Sequence, residues 1–540
     1  MIDNTAAYNV SSLQKTVLST KIIANAMIGV KSMAKQYIDP FSKATTDLTQ
    51  RFDTATINKD YEALSMLIDE AIELIKTETA ASQARLYYSL ATTYSDFAKF
   101  KGISTDESLK KQLYYFRKSI ALINAKDNDK DEYKPFIYGF KAMLFTNYAN
   151  ALDNCGRKIA AIEQYKNALY IHPQFGMALG NLGRVYTDYG MLEYNPGHSD
   201  YFHFHAYTLM DEATTSNDPN THDDAKKYFE QVLQCYDDEY IDKLYEILPD
   251  IPDYTYDDPE EYAYRKWSLD NVLFLNTLND LPDLKLRFAA DVIQLPSITA
   301  DIGAKPIFHG MFNQIKQEYI YARYLYYSSL DIPGIPHYAD KETYLLNLTD
   351  YPQYSIRIEN LKTSYRTLYS LFDKIAYCIN SYFRLGIKER DVSFNGIWKH
   401  THGYGKNQYN NENDLNPDDN YALASLHWIC LDFFEKFEDS PNPNLQRFRD
   451  LRHAMEHRYL KVTWLEAIDD NYIGDDGLAV YISESELYDL TMQLMHIVRE
   501  AIICLAFAIS IEENNRNQKK DPNTKTVSMQ IDGYEDKWKL

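Results

Sequence analysis

The chain has 540 residues, 45% of them apolar, and a formal net charge of −22. This length allows several domains that each bury a core, and the apolar fraction is too high for a disordered chain. The acidic balance argues against a protein that coats nucleic acid or anionic membrane along its whole length. Glycine (19) and proline (18) are both scarce, so the composition predicts an all-α architecture.

The cysteines and the N-terminus indicate the compartment. The five cysteines are scattered without a C-x-x-C pair, which is typical of reduced, mostly buried thiols. The N-terminal sequence lacks the basic-then-apolar order of a signal peptide. The longest clean apolar run, 501–511, is too short to span a bilayer. We therefore expect a cytoplasmic protein without membrane association.

The N-terminal half contains a helical repeat. Residues 1–60 are predicted to form an N-terminal helical segment, and residues 61–248 to form TPR-like (tetratricopeptide) repeats. Small residues recur at a spacing of 34 positions, from Ala149 to Gly183 and from Gly156 to Gly190. Such spacing lets paired helices approach closely and stack. We expect a solenoid whose surface binds a protein partner or the trigger that controls activity.

The repeats are predicted to end at a proline- and acid-rich break over residues 250–261. We predict a connecting helical region at 249–330, a C-terminal bundle at 331–515 and a flexible tail at 516–540. The strongest predicted helices of the bundle cover residues 358–385, 420–437 and 483–514. The predicted fold class is all-α, with a TPR-like helical-repeat solenoid followed by a C-terminal helical bundle.

The segment most indicative of chemistry is residues 452–459, with the sequence RHAMEHRY. On a helix, His453 and His457 share one face, and Arg452, Glu456 and Tyr459 share the adjacent one. The segment lies in a basic island, since residues 447–461 contain five Arg or Lys against two Asp or Glu. A positive site in an acidic protein indicates a selected anionic ligand.

One family pattern in this segment is His453-x-x-Glu456-His457, which resembles the H-x-x-E-H motif of inverted zinc proteases. In those enzymes two histidines bind the metal and the glutamate activates water. This alternative needs a third protein ligand, for which the downstream candidates are Glu484, Glu486 and Glu535. Nothing in the sequence marks one of them as a ligand.

A second pattern, Arg452-x-x-x-x-His457 extended to Tyr459, resembles the HEPN superfamily (higher eukaryotes and prokaryotes nucleotide-binding). These small helical bundles include many ribonucleases of toxin, CRISPR and phage-defence systems. The segments 267–281, 312–326, 371–385 and 394–398 are similar to a TPR-fused prokaryotic branch of the superfamily. The resemblance covers about half of the chain, and it makes the predicted bundle a HEPN-type one.

The resemblance implies a metal-independent endoribonuclease that needs no cofactor and takes RNA as its substrate. His457 would transfer protons near neutral pH, and Arg452 would hold the phosphate and stabilise its developing charge. One histidine per chain cannot be acid and base at once, so a homodimer through the bundle is implied.

Other residues of the motif have lesser implied roles. Arg449, His453 and Arg458 are candidates for further phosphate contacts, and Glu456 is an auxiliary candidate. Tyr459 corresponds to a tyrosine that a partner enzyme modifies with AMP in some HEPN toxins. The alternative from another class is a non-catalytic TPR/HEPN scaffold or nucleotide-binding interaction protein. There Arg452 would only pair with Glu456, and His457 would be a packed histidine of the bundle.

Overall fold

The computed structural model describes residues 37–100, 105–248, 252–282, 284–331, 335–347, 352–399, 415, 417–434, 442–464, 478–521, 526–527 and 529–539. The first 36 residues of the predicted N-terminal segment therefore lie outside the described residues. Helices of the N-terminal part are α1 (Lys43–Ile57), α2 (Tyr61–Ile75), α3 (Ala80–Phe100), α4 (Thr105–Ile123), α5 (Lys134–Asn154), α6 (Lys158–Ile171), α7 (Gly176–Leu192), α8 (Pro196–Thr215), α9 (Asp223–Leu233) and α10 (Asp238–Ile247).

Three pairs of consecutive helices form hairpins, namely α3 with α4, α5 with α6 and α7 with α8. The small residues at the 34-residue spacing are buried between these helices, as Ala149 and Gly183 show. At Gly183, a Cβ atom would lie 2.6 Å from Met210 Cγ of the partner helix. Only glycine allows α7 and α8 to pack so closely. The prediction of N-terminal helical hairpins is confirmed, and their assignment to the TPR type stays a prediction.

The region between the repeats and the bundle is mostly irregular. It contains α11 (Pro259–Asp270) and two short 3₁₀ turns, Thr277–Asp280 and Leu286–Phe288. Residues 273–281 are buried although their only regular structure is a single 3₁₀ turn, so most of their backbone carbonyls need donors from elsewhere. Arg499 supplies them: its Nε donates to the carbonyl of Phe274 at 2.7 Å and its Nη2 to that of Asn276 at 2.9 Å.

The C-terminal part is a helical bundle with one small sheet. Its helices are α12 (Ile307–Leu330), α13 (Ile356–Tyr382), the short α14 (Gly396–Lys399), α15 (Tyr421–Phe434), α16 (Leu445–His457) and α17 (Glu484–Gln518). Strand β1 (Tyr459–Thr463) pairs in parallel with β2 (Ala479–Ser483), with Tyr459 opposite Ala479. The predicted all-α class is confirmed, although no strand was expected.

Helix α17 forms the centre of the bundle. By length and composition alone it is apolar enough to cross a bilayer, which the sequence analysis did not expect. However, 83% of its most apolar 18-residue stretch is buried inside the protein. The same helix carries Arg499 and Glu500, which are buried and ion-paired. Both properties are typical of the core helix of a folded domain.

The repeats and the bundle share one hydrophobic core, which extends from Phe41 to Ile509. The backbone at Gly156, between α5 and α6, has a φ of 76°, and a Cβ atom there would lie 2.6 Å from the Tyr421 carbonyl oxygen. Glycine is required for both the conformation and the contact. The hairpin turn of the repeats thus packs directly on the first turn of α15.

Four charged side chains form a buried network across this contact. From the repeats, Arg117 and Arg157 both donate to Asp432 on α15, with distances of 2.6 Å. Arg157 also donates to Glu500 on α17 at 2.7 Å. The side chains of Arg157, Asp432 and Glu500 are at most 5% exposed. Burial lowers the pKa of Arg157, but the carboxylates of Glu500 and Asp432 outweigh it and raise the pKa above its ordinary value.

Candidate active site

Helix α16, which carries the motif, is attached to the bundle along one face. Phe448, Leu451 and Ala454 are at most 2% exposed, and their spacing places them on the same side of the helix. The phenol of Tyr365 on α13 donates to the carbonyl oxygen of Phe448 at 2.9 Å. The opposite face, including His453, Glu456 and His457, is exposed. The predicted functional side chains therefore lie on the outer face of a firmly packed helix.

Arg447 belongs to the attachment of α16 rather than to its exposed face. Its Nη2 donates to Glu486 Oε2 at 2.8 Å and to the carbonyl oxygen of Tyr481 at 3.1 Å. These contacts tie the first turn of α16 to β2 and to the start of α17. The sequence places Arg447 in the basic island, but Glu486 largely neutralises its charge.

Arg452 lies at the boundary between the core and the exposed face. Its guanidinium carbon is 5.2 Å from the ring centre of Tyr369 on α13, a distance typical of a cation–π contact. Burial raises the pKa of Tyr369 to about 12, so the phenol stays neutral beneath the arginine. Arg452 Nη2 lies 3.1 Å from Glu456 Oε2. Its Nε is buried and has no hydrogen-bond partner among the described residues.

His457 is the last residue of α16, and its side chain is 61% exposed. Its Nε2 lies 3.5 Å from Glu456 Oε2, the oxygen that also faces Arg452. The rings of His453 and His457 have centroids 5.3 Å apart. Arg449, earlier on α16, and Arg458, directly after it, are also exposed. The structure therefore brings together a guanidinium, two imidazoles and a carboxylate on one accessible surface.

Tyr459 does not lie on the helix, so the expectation that it shares a helical face with Arg452 and Glu456 is wrong. The backbone becomes extended at Arg458 (φ −134°, ψ −163°), and Tyr459 begins β1. Its hydroxyl lies 3.2 Å from that of Tyr354. The ammonium of Lys461 is 5.0 Å from its ring centre and donates to the hydroxyl of Tyr481 at 3.0 Å. Sheet pairing, rather than helical periodicity, determines where Tyr459 lies.

The zinc-protease alternative finds no third ligand in the part of the chain that the structure describes. Glu484 forms an ion pair with Arg357, Glu486 with Arg447, and Glu535 with Lys537. Over those same residues, no three His, Cys, Asp or Glu side chains are grouped in a way that could hold a metal ion. Nothing in the geometry therefore favours metal binding by His453 and His457.

The scaffold alternative fits the geometry only in part. The ion pair between Arg452 and Glu456 that it requires is present. This alternative also requires His457 to be packed inside the bundle, but more than half of its side chain is exposed. Three residues that position the motif could not be found from the sequence, namely Tyr369, Tyr365 and Glu486. Each is at least 30 residues from its partner on α16, and no local pattern links them.

The family of the C-terminal part follows from its sequence. Residues 299–512 match the family model described as LA2681-like HEPN. The match contains α12 to α16, both strands and most of α17, and thus the whole motif from Arg452 to Tyr459. No curated protein and no solved structure matches the chain. Residues 299–512 therefore form a HEPN domain, and the HEPN superfamily includes ribonucleases and nucleotide-binding modules.

Proposed function

We propose that the protein is a metal-independent endoribonuclease of the toxin or phage-defence type. The observation that carries this proposal is the placement of Arg452 and His457 in the C-terminal half of α16, where both face the same carboxylate oxygen. Both side chains are accessible to a polymer, and they combine a phosphate-binding group with a proton-transfer group. They lie in a HEPN domain, whose superfamily includes ribonucleases.

The reaction uses the nucleophile that RNA already contains. A general base removes the proton of a 2′-hydroxyl, whose oxygen attacks the adjacent phosphorus. The bond from phosphorus to the 5′-oxygen breaks, and a general acid protonates that oxygen. The products are a 2′,3′-cyclic phosphate and a 5′-hydroxyl. Arg452 stabilises the additional negative charge on the phosphate oxygens as the pentacoordinate state forms.

The proposed substrate-binding surface surrounds this pair. The exposed side chains that can contact neighbouring phosphates are Arg449 and His453 on α16 and Arg458 directly after it. Contacts of this kind carry little sequence information, so control must come from elsewhere in the protein. We assign that control to the N-terminal repeats, which reach α15 and α17 through Arg117 and Arg157. A partner or trigger bound to the repeats can act on the bundle through this interface.

The proposal predicts that the purified full-length protein cleaves total RNA in the presence of EDTA. No step of the reaction uses a metal ion, since Arg452 takes the role of neutralising the phosphate. The products are checked for 2′,3′-cyclic phosphate ends by their resistance to ligation until the cyclic phosphate has been opened and the remaining phosphate has been removed by a phosphatase. Cleavage that EDTA abolishes would contradict the mechanism and would favour a metal-dependent one.

The proposal also predicts a homodimer. One His457 cannot serve as base and acid in the same step, so two motif helices must contribute to a composite site. Light scattering of the full-length protein should give about twice the mass of the chain, which is 62.9 kDa. A strictly monomeric protein that still cleaves RNA would rule out the composite site.

A further inference from the structure

Glu456 occupies a special position between the two proposed catalytic residues. Its Oε2 lies 3.1 Å from Arg452 Nη2 and 3.5 Å from His457 Nε2. A substrate phosphate that contacts both side chains has to place an oxygen in the same region. In this structure the side chain of Glu456 is therefore the anion of the site.

The carboxylate of Glu456 fills only part of the binding capacity that Arg452 and His457 offer to an anion. Its distance to His457 Nε2 is longer than a good hydrogen bond, so it does not hold the imidazole as a triad carboxylate does. Arg452 Nε is buried and has no acceptor among the described residues. A tetrahedral phosphate offers several oxygens and can match two edges of a guanidinium. One carboxylate on the same helix cannot do this while also facing His457.

The contact between Glu456 and Arg452 is also easy to displace. Their side chains are 29% and 41% exposed, and exposed ion pairs four residues apart on a helix are weak. Two exposed arginines near the pair, Arg449 on α16 and Arg458 directly after it, attract an incoming anion.

We infer that Glu456 is an internal competitor of the substrate phosphate, which binds to Arg452 and His457 by displacing this carboxylate. The inference rests on the proposed function and adds a residue that sets how tightly the site accepts phosphate. Glu456 lowers the affinity of the resting site for RNA without taking part in the chemical step. It thus limits the activity of an enzyme whose phosphate contacts have little selectivity.

The test measures binding, not cleavage. The probe is a fluorescent 2′-O-methyl RNA oligonucleotide, which lacks the nucleophile and cannot be cut, and the readout is anisotropy with full-length protein at fixed ionic strength. Glu456→Gln should bind roughly fivefold more tightly, the effect of removing one like charge about 4 Å from a phosphate in water. In an Arg452→Ala background, the same substitution should have no effect.

Glu512→Gln is a matched control. Glu512 pairs with Arg516 at the same helical spacing, and their side chains are 28% and 41% exposed, close to the values of Glu456 and Arg452. Its affinity should equal that of the wild type. Unchanged or weaker binding by Glu456→Gln, or an equal gain in Glu512→Gln, would overturn the inference.

The same data separate this inference from the proposed function. If Arg452→Ala weakens binding but Glu456→Gln does not strengthen it, only the competitor role of Glu456 fails. If Arg452→Ala binds the oligonucleotide as tightly as the wild type, the proposed RNA site itself fails and the inference fails with it.

A second probe, inorganic phosphate titrated against ¹³C-labelled histidines, should shift the His457 resonance at lower phosphate concentration in Glu456→Gln.

Discussion

Replacing His457 with alanine is expected to reduce RNA cleavage by roughly 10²- to 10⁴-fold, the usual contribution of a general acid or base. The loss should come without a loss of stability, because the side chain is 61% exposed at the end of α16 and fills no core volume. Cleavage rates and urea unfolding are measured on the same preparations. In cells, the substitution should also abolish the toxicity of the active protein.

The control for His457→Ala is His222→Ala. His222 is also exposed, precedes α9 in the repeats and makes no capping hydrogen bond with its side chain. This variant should cleave RNA at the wild-type rate. Arg452→Lys adds a second check. Lysine keeps the charge but lacks the planar guanidinium, which can donate to two phosphate oxygens at once, so we expect a large loss of cleavage. Cleavage that persists in His457→Ala would mean that the motif is not the active site.

Replacing Arg157 with methionine is expected to lower the free energy of unfolding by about 3–5 kcal/mol, the range found when one partner of a buried ion pair is removed. Methionine fills much of the same volume, so the loss reports on charge rather than on a cavity. Among the described residues, Glu500 would keep a long contact of 3.4 Å with Ser425, while Asp432 would keep Arg117. The measurement is urea unfolding of the full-length protein.

Arg51→Met is the matched control for Arg157→Met. Arg51 pairs with Glu70 on the surface, where the two side chains are 55% and 48% exposed. Such pairs contribute about 0–1 kcal/mol, so this variant should unfold almost like the wild type. Because the repeats and the bundle share one core, Arg157→Met should destabilise both in a single transition. Separate transitions, or a loss similar to that of Arg51→Met, would contradict the proposed coupling.

The core shared by the repeats and the bundle limits how the role of the repeats can be tested. A fragment that begins at residue 331 lacks α12, Arg117 and Arg157, and it exposes the faces of α15 and α17 that the repeats cover. Asp432 and Glu500 would lose their arginine partners. We therefore expect substitutions in the full-length chain to report on regulation more reliably than truncation does.

The local sequence determines most helices of the bundle. Predicted helices at 358–385, 420–437 and 483–514 correspond to α13 (Ile356–Tyr382), α15 (Tyr421–Phe434) and α17 (Glu484–Gln518). Helical periodicity is a property of neighbouring residues, so it can be recognised without knowledge of the fold. The same holds for the HEPN motif and the basic island, since their residues lie close together in the sequence.

The tertiary structure alone decides what surrounds the motif. Pairing of β1 with β2 ends α16 at His457 and moves Tyr459 off the helix, although the strands are 15 residues apart in the chain. Tyr369 lies beneath Arg452 because α13 packs on α16, and Arg157 meets Asp432 because the repeats pack on α15. Contacts of this kind join residues that are distant in sequence, and their energy comes from burial and pairing in the folded core. No local pattern encodes them, so the composition and motif determine the family of the domain, while packing determines which charged side chains remain accessible to a ligand.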